Sequence, residues 1–150
     1  MLKSFRELEV WQKAHALVLD IYRVTDKFPD RERFGIAAQI RRAAASIPAN
    51  IAEGFGRRTT KELLQSLTIS NGSLEETRYF LILSRDLRYL VPEDYQRLDQ
   101  QCTSVAQMLS ALVRSLRGAN AGSRVSPGTG QEARATDREP RVTRSGEARR

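Results

Sequence analysis

From Leu63 to Leu87 the sequence places Leu63, Leu67, Ser70, Leu74, Thr77, Leu81, Ser84 and Leu87 three or four residues apart. That spacing puts all eight on one face of an α-helix, and no strand can do the same with period-two side chains. The same rhythm recurs three more times. Leu8, Trp11, Ala14, Val18, Ile21, Tyr22, Thr25 and Phe28 mark a helix over about Phe5–Phe28, ended by Phe28-Pro29-Asp30. A second helix is predicted from about Glu32 to Phe55, where Gly54 and Gly56 supply a stop. The third starts at Thr59 or Thr60, with Glu62 at capping-box distance from Thr59, and runs to about Leu90. The fourth opens at Pro92-Glu93-Asp94 and continues to about Arg117, with Tyr95, Leu98, Cys102, Val105, Leu109, Leu112 and Leu116 inward. Short linkers make successive helices antiparallel neighbours. The expected fold is all-α, an antiparallel up-down-up-down four-helix bundle over residues 1–117.

After Arg117 the composition changes. Residues 118–150 contain no Leu, Ile, Phe, Tyr or Trp, and Val125 and Val142 are their only branched aliphatics. Such a stretch buries too little apolar surface to offset its ordering entropy, so a disordered basic C-terminal tail is expected. Its seven Arg and four acids contribute +3 of the formal +7; residues 1–117 carry 18 Lys/Arg and 14 Asp/Glu.

Charge and side-chain inventory narrow the function. A pI near 10.2 suits an anionic partner, nucleic acid being the commonest. One cysteine, Cys102, and one histidine, His15, exclude an intrachain disulfide, a cysteine zinc site and the paired Glu-x-x-His motifs of di-iron bundles. No cofactor, metal or catalytic residue is therefore expected. His15 reads as a packing or surface residue, Cys102 as a small core residue and Trp11 as an anchor of the bundle core, with a subunit contact as the alternative. No apolar run reaches the roughly 20 residues of a bilayer span, and Met1–Val10 has no signal-peptide core, so a cytoplasmic protein without a membrane partner is expected.

The second helix carries the most information. On a helical wheel Ile36, Ile40, Ala43, Ala44, Ile47 and Ile51 form the core arc. Gln39, Arg42, Ser46, Asn50, Glu53 and Arg57 form an adjacent polar arc, with Glu53 one turn from Arg57. Ala38, Ala45, Ala49 and Ala52 occupy the far side, where an ordinary surface helix shows Lys and Glu. Methyl groups there point to cover by another subunit, with Ala38, Ala45, Ser46, Ala49, Asn50, Ala52 and Glu53 as the candidate oligomer interface. The alternative is a wet face that is alanine-rich because alanine favours helix. Pro48, mid-helix, is expected to kink or shift the helix.

Between residues 31 and 61 seven cations, Arg31, Arg33, Arg41, Arg42, Arg57, Arg58 and Lys61, face only Glu32 and Glu53. They are the candidate nucleic-acid contacts. Arg57, Arg58 and Lys61 lie at one turn and Arg31 and Arg33 at another, at opposite ends of the bundle. Phe55, beside Arg57 and Arg58, is either a stacking surface for a base or a packing residue.

Several blocks occur in order: Leu8-Glu9-Val10-Trp11-Gln12-Lys13-Ala14, Phe28-Pro29, Phe34-Gly35, Gln39-Ile40-Arg41-Arg42-Ala43, Ser46-Ile47-Pro48-Ala49-Asn50-Ile51-Ala52-Glu53-Gly54, Glu62, and Gly72-Ser73-Leu74-Glu75-Glu76. This run, over about residues 5–117, resembles the bacterial four-helix-bundle family of proteins encoded in intervening sequences of large-subunit ribosomal RNA genes. That family is in turn similar to the accessory variability protein of diversity-generating retroelements. The resemblance implies an up-down bundle assembled as a ring-like homopentamer, and in the retroelement branch a reverse transcriptase and nucleic acid as partners. Two functions follow as expectations. One is a non-enzymatic basic homo-oligomeric scaffold that binds RNA or DNA. The other is a protein-interaction hub of the ribosomal intervening-sequence type, its basicity incidental.

Overall fold

A computed structural model describes residues 3–122, and the expected disordered tail lies outside the described residues from residue 123 onward. Four helices are present: α1 (Glu9–Thr25), α2 (Ile36–Phe55), α3 (Thr60–Asp86) and α4 (Pro92–Gly122). Single 3-10 turns, Phe5–Glu7 and Asp30–Glu32, precede α1 and α2. Among the described residues there is no strand. Each helix packs on the next and α4 closes back on α1, while α2 and α3 pair most extensively. Direction follows from the contacts. Ser70 of α3 bonds to Ile47 of α2, Ser73 to Ser46, and Gly54 sits against Leu63 and Ser66, so numbering rises on one helix as it falls on the other.

The core is the set of inward faces. Leu17, Ile21, Ile40, Ile47, Ile51, Leu67, Leu74, Leu81, Leu98 and Leu109 are fully buried. On α3, leucines at 67, 74 and 81 alternate with the buried hydroxyls of Ser70, Thr77 and Ser84. Each hydroxyl is satisfied: Ser70 Oγ donates to the Ile47 carbonyl at 2.9 Å, Thr77 Oγ1 to Ser73 O at 2.8 Å and Ser84 Oγ to Phe80 O at 2.7 Å. A buried hydroxyl without a partner would cost about 1–3 kcal/mol, so these bonds are what let polar side chains share the seam with leucine. The whole predicted core arc of α2 is buried, and α2 is one helix through Pro48, which is itself buried. The ring nitrogen donates no bond, so the Ala44 carbonyl lacks its usual helical partner.

Helix ends differ from the sequence expectation at five places. The first helix starts at Glu9, not Phe5. Ser4 Oγ caps a separate 3-10 turn by accepting from Arg6 N, and Leu8 is extended. It ends at Thr25, whose Oγ1 bonds back to Ile21 O, and i→i+3 bonds then carry the chain to Phe28. The second starts at Ile36 rather than Glu32, because Glu32 folds back to accept from Ile36 N and so acts as the cap. The third stops at Asp86 rather than Leu90. Tyr89 N donates to Ser84 O and Arg88 N to Arg85 O, a Schellman closure that puts Arg88 at φ 62°. Leu87 is consequently exposed instead of inward. The fourth continues past Arg117 to Gly122, so the composition break is not the helix end. Tyr22, expected inward, is exposed under the Arg41 guanidinium, 4.6 Å from its ring centre. The capping box of Thr59 and Glu62 forms as expected.

Two glycines in helices make opposite predictions. A Cβ on Gly54 would lie 2.9 Å from both Leu63 Cδ1 and Ser66 Cβ, whereas one on Gly72 would meet nothing within 4 Å. Gly72→Ala is expected to stabilise by about 1 kcal/mol through helix propensity. Gly54→Ala is expected to destabilise by about 1–3 kcal/mol, since overpacking there exceeds the same gain. Urea unfolding of the two variants checks the opposite signs.

Candidate nucleic-acid and oligomer surfaces

Both chain ends of the described bundle lie beside the α2–α3 turn, because α1 begins and α4 finishes there. Arg58 and Lys61 are exposed on that turn and form no ion pair among the described residues. Arg57 pairs with Glu53, the partner expected one turn back. Arg114 and Arg117, exposed on the last turns of α4, and Lys3 and Arg6 ahead of α1 join the same end. With the Arg57–Glu53 pair set aside, Lys3, Arg6, Arg58, Lys61, Arg114 and Arg117 face Glu7, Glu9 and Glu62 there. The opposite end is nearly balanced. Once the pairs Asp26–Arg41, Arg85–Asp86 and Asp94–Arg97 are set aside, Lys27, Arg31, Arg33 and Arg88 face Asp30, Glu32 and Glu93.

The seven cations predicted as contacts are therefore distributed over three places. Arg57, Arg58 and Lys61 sit at the basic end, and Arg31 and Arg33 at the other. Arg42 is exposed on α2 above a shallow groove with Gln39, Ser46, Ser73 and Glu76. Arg41 is committed internally. Its Nε donates to Thr25 Oγ1 at 2.7 Å, and its Nη2 donates to Tyr22 O at 3.2 Å and Asp26 Oδ1 at 2.9 Å. Phe55 is half-buried against the core. Arg6, Arg114 and Arg117 escaped the sequence reading because it counted charge within residues 31–61; the up-down topology would have added them.

The candidate oligomer residues divide in the same way. Ala38, Ala45, Ala49 and Ala52 share the row of α2 that carries Arg41, the row facing outward beside α1. Ala49 is exposed and the other three half-buried, Ala45 resting on the core. Ser46 instead turns toward α3, and Asn50 bonds to Ser46 within α2. Asn50 Nδ2 donates to Ser46 O at 2.7 Å and Ser46 Oγ at 2.8 Å, and Ser73 Oγ donates to Ser46 Oγ at 2.9 Å. Glu53 is exposed in its pair with Arg57.

A network between α1 and α4 has no counterpart in the sequence reading. Asp20, 9% exposed, accepts from Arg97 Nε at 2.9 Å, Arg97 Nη2 at 3.1 Å, Gln101 Nε2 at 2.7 Å and from Arg23. Arg97 also holds Asp94 at 2.7 Å. Burial alone would raise the Asp20 pKa. The hydrogen bonds of Arg97 and Gln101, the Arg97 charge and the Arg23 bond outweigh it and hold the carboxyl below the usual range. The network borders a groove of about 650 Å³ whose lining includes Ala16 and Leu19. No periodicity reveals such a cross-bundle pair, since Asp20 and Arg97 are far apart in sequence.

The remaining singular residues are ordinary. Cys102 is fully buried and its thiol is pushed up to about 12 by burial, which leaves it protonated and unreactive at neutral pH. His15 is exposed and stacks on the half-buried Trp11 at 5.1 Å and 11°. Among the described residues no group of three or more His, Cys, Asp or Glu is placed to hold a metal, and no helix is long and apolar enough to cross a membrane.

With that geometry in place, the model of the 23S rRNA-intervening sequence protein family matches residues 6–111. The chain belongs to this family. A crystal structure of a protein with unknown function from the S23 ribosomal protein family of Bacteroides thetaiotaomicron shares the fold. It has a TM-score of 0.66 and 24% identity, covering 70% of this chain and 95% of that one. No curated protein matches. The family match begins one residue into the first 3-10 turn and stops within α4, so it takes in both α2 surfaces, and Arg114 and Arg117 lie beyond it.

Because the Asp20 pKa is lowered in the fold, its stabilising contribution is complete above the unfolded value of about 3.9 and fades as pH falls through the lower folded value. Asp20→Asn is expected to cost about 2 kcal/mol at pH 7, from charged hydrogen bonds lost. Denaturant unfolding from pH 7 down through the acid range checks that the difference between wild type and variant shrinks as Asp20 is protonated.

Proposed function

We propose that this protein is a non-enzymatic, cytoplasmic scaffold that binds nucleic acid through its α2–α3 end and repeats that end around a homo-oligomer, in the form of a pentameric ring. The observation that carries the reading is the charge polarity: unpaired cations gather at one end of the bundle while the other is nearly balanced. Assembly through the methyl row of Ala38, Ala45, Ala49 and Ala52 would set several such ends side by side. Repetition raises the local potential and the on-rate for a polyanion. Contacts of this type engage phosphate, read little sequence and weaken steeply with salt. Support for a non-catalytic role comes from the buried, protonated Cys102, the stacking of the single histidine on Trp11, and the internal commitment of Asp20 and Arg97.

A second reading draws on the exposed Ile69, Tyr79 and Ile82 of α3 and, on a separate face, Leu19 and Tyr22 of α1, which would dock a protein; a reverse transcriptase is one such class. Pull-down after nuclease treatment separates the two, because a protein hub keeps its partner and a nucleic-acid scaffold loses what nucleic acid bridges.

Fluorescence anisotropy with duplex DNA and RNA across a salt series tests the first reading. Wild type is expected to bind at low salt. The triple variant Arg57→Gln, Arg58→Gln, Lys61→Gln is expected to lower the slope of log K against log salt by about 2, one unit for each unpaired cation removed. Absence of wild-type binding at low salt would end the reading. Sedimentation showing a folded monomer at micromolar concentration would remove the oligomer, and Ala45→Glu with Ala49→Glu is expected to produce that monomer.

A further inference from the structure

We propose that Phe34 is a stacking platform for an unpaired nucleic-acid base, with Arg31 and Arg33 beside it as phosphate contacts. This specificity rests on the nucleic-acid reading above and deepens it. Phe34 is 89% exposed, well beyond any other large apolar side chain among the described residues. Its turn needs no second aromatic for packing: Phe28 is already buried there, and Tyr89 lies against it at 5.5 Å between ring centres.

The backbone under the ring is fixed. Glu32 N donates to Pro29 O at 2.8 Å, Arg33 N to Asp30 O at 3.1 Å and Gly35 N to Glu32 O at 3.0 Å. Glu32 fastens the turn at both sides, accepting from Ile36 N at 3.2 Å and from the Tyr89 hydroxyl at 3.2 Å. Gly35 is what permits this fold-back, since a Cβ there would lie 2.7 Å from Glu32 Oε2. An aromatic ring held out on a fixed turn binds with little ordering cost.

Although Asp30, Glu32 and Glu93 leave this end nearly balanced overall, cations stand close to the ring. Arg33 lies over the Phe34 ring at 5.7 Å, Arg31 is exposed, and the adjoining α3–α4 turn presents Arg88. Arg88 holds a left-handed conformation that glycine adopts without penalty, so that turn keeps a cation where backbone preference points elsewhere. In a duplex both faces of a base are hidden in the stack; only an unpaired base offers one to a protein ring. The two ends of the bundle would then divide the work. The α2–α3 end draws phosphate from any nucleic acid, and Phe34 discriminates in favour of single strands. The 20 residues of α2 separate them by about 30 Å.

The test uses the full chain and labelled oligouridine of about twenty nucleotides, longer than usual single-strand sites of about 4–16, beside a duplex of equal length. Phe34→Ala is expected to weaken single-strand binding about tenfold and leave duplex binding unchanged, with Phe34→Tyr restoring it. Circular dichroism verifies the fold, and sedimentation of each variant accompanies the binding curves. Equal losses on both probes, or unchanged single-strand affinity, would overturn the proposal. So would a drop in assembly size with Phe34→Ala at unchanged affinity per subunit, which would assign the ring to a contact between copies of the chain. If wild type bound neither probe at low salt, the nucleic-acid reading would fall and the stacking with it; wild-type binding indifferent to Phe34 would sink the stacking alone.

Discussion

The close approach of α2 and α3 governs the rest of the bundle. Helices come together only as far as their side chains allow, and at three points along this seam a small residue lets them close in: Gly54 against Ser66, Ser70 against the Ile47 carbonyl, and Ser46 against Ser73. Hydroxyls at the contact turn proximity into direction, because each bond specifies which residue lies opposite which. The seam fixes the antiparallel register of the central pair. It thereby decides which side of α2 is left for α1 and which is left outward, so the alanine row and the Arg42 groove are consequences of how α3 is seated.

The seam also separates two kinds of polar residue that look alike on a helical wheel. Ser46 and Asn50 lie in the same arc as Glu53 and Arg57, yet Ser46 accepts from Ser73 of α3 and from Asn50, while Glu53 and Arg57 form an exposed ion pair. A shared arc is a statement about angle alone. What a side chain does depends also on its length and its partner: Ser46 is short and meets Ser73, whereas Glu53 reaches out to Arg57 although α3 lies against the neighbouring Gly54.

Much of the fold was legible because its cause is local. Three- and four-residue spacing of apolar side chains gave four helices, and the Thr59–Glu62 box and Pro92 marked two starts correctly. The ends that differed were set by contacts the spacing does not encode. Glu32 caps α2 from a turn of its own, and Arg88 closes a Schellman motif at a site where glycine would have announced it. The change in composition at Gly118 did not stop α4, since a helix needs only backbone bonds to run on. Of the candidate surfaces, the split of cations between two ends followed from topology. The capture of Arg41 by Thr25, Tyr22 and Asp26, the Asp20–Arg97 network and the bare ring of Phe34 required the packed molecule. Membership of the 23S rRNA-intervening sequence protein family agrees with the long motif in α2 and with the bundle built around it.

An even number of helices running alternately up and down returns the chain to the end where it started. Here that end is the cationic one, with the first 3-10 turn and the last turns of α4 standing beside Arg58 and Lys61. A purification tag or fluorescent fusion joined just ahead of the first 3-10 turn would therefore crowd this surface, and an acidic one would partly neutralise it. The α3–α4 turn, at the far pole around Leu87–Val91, is where a reporter would leave that surface untouched.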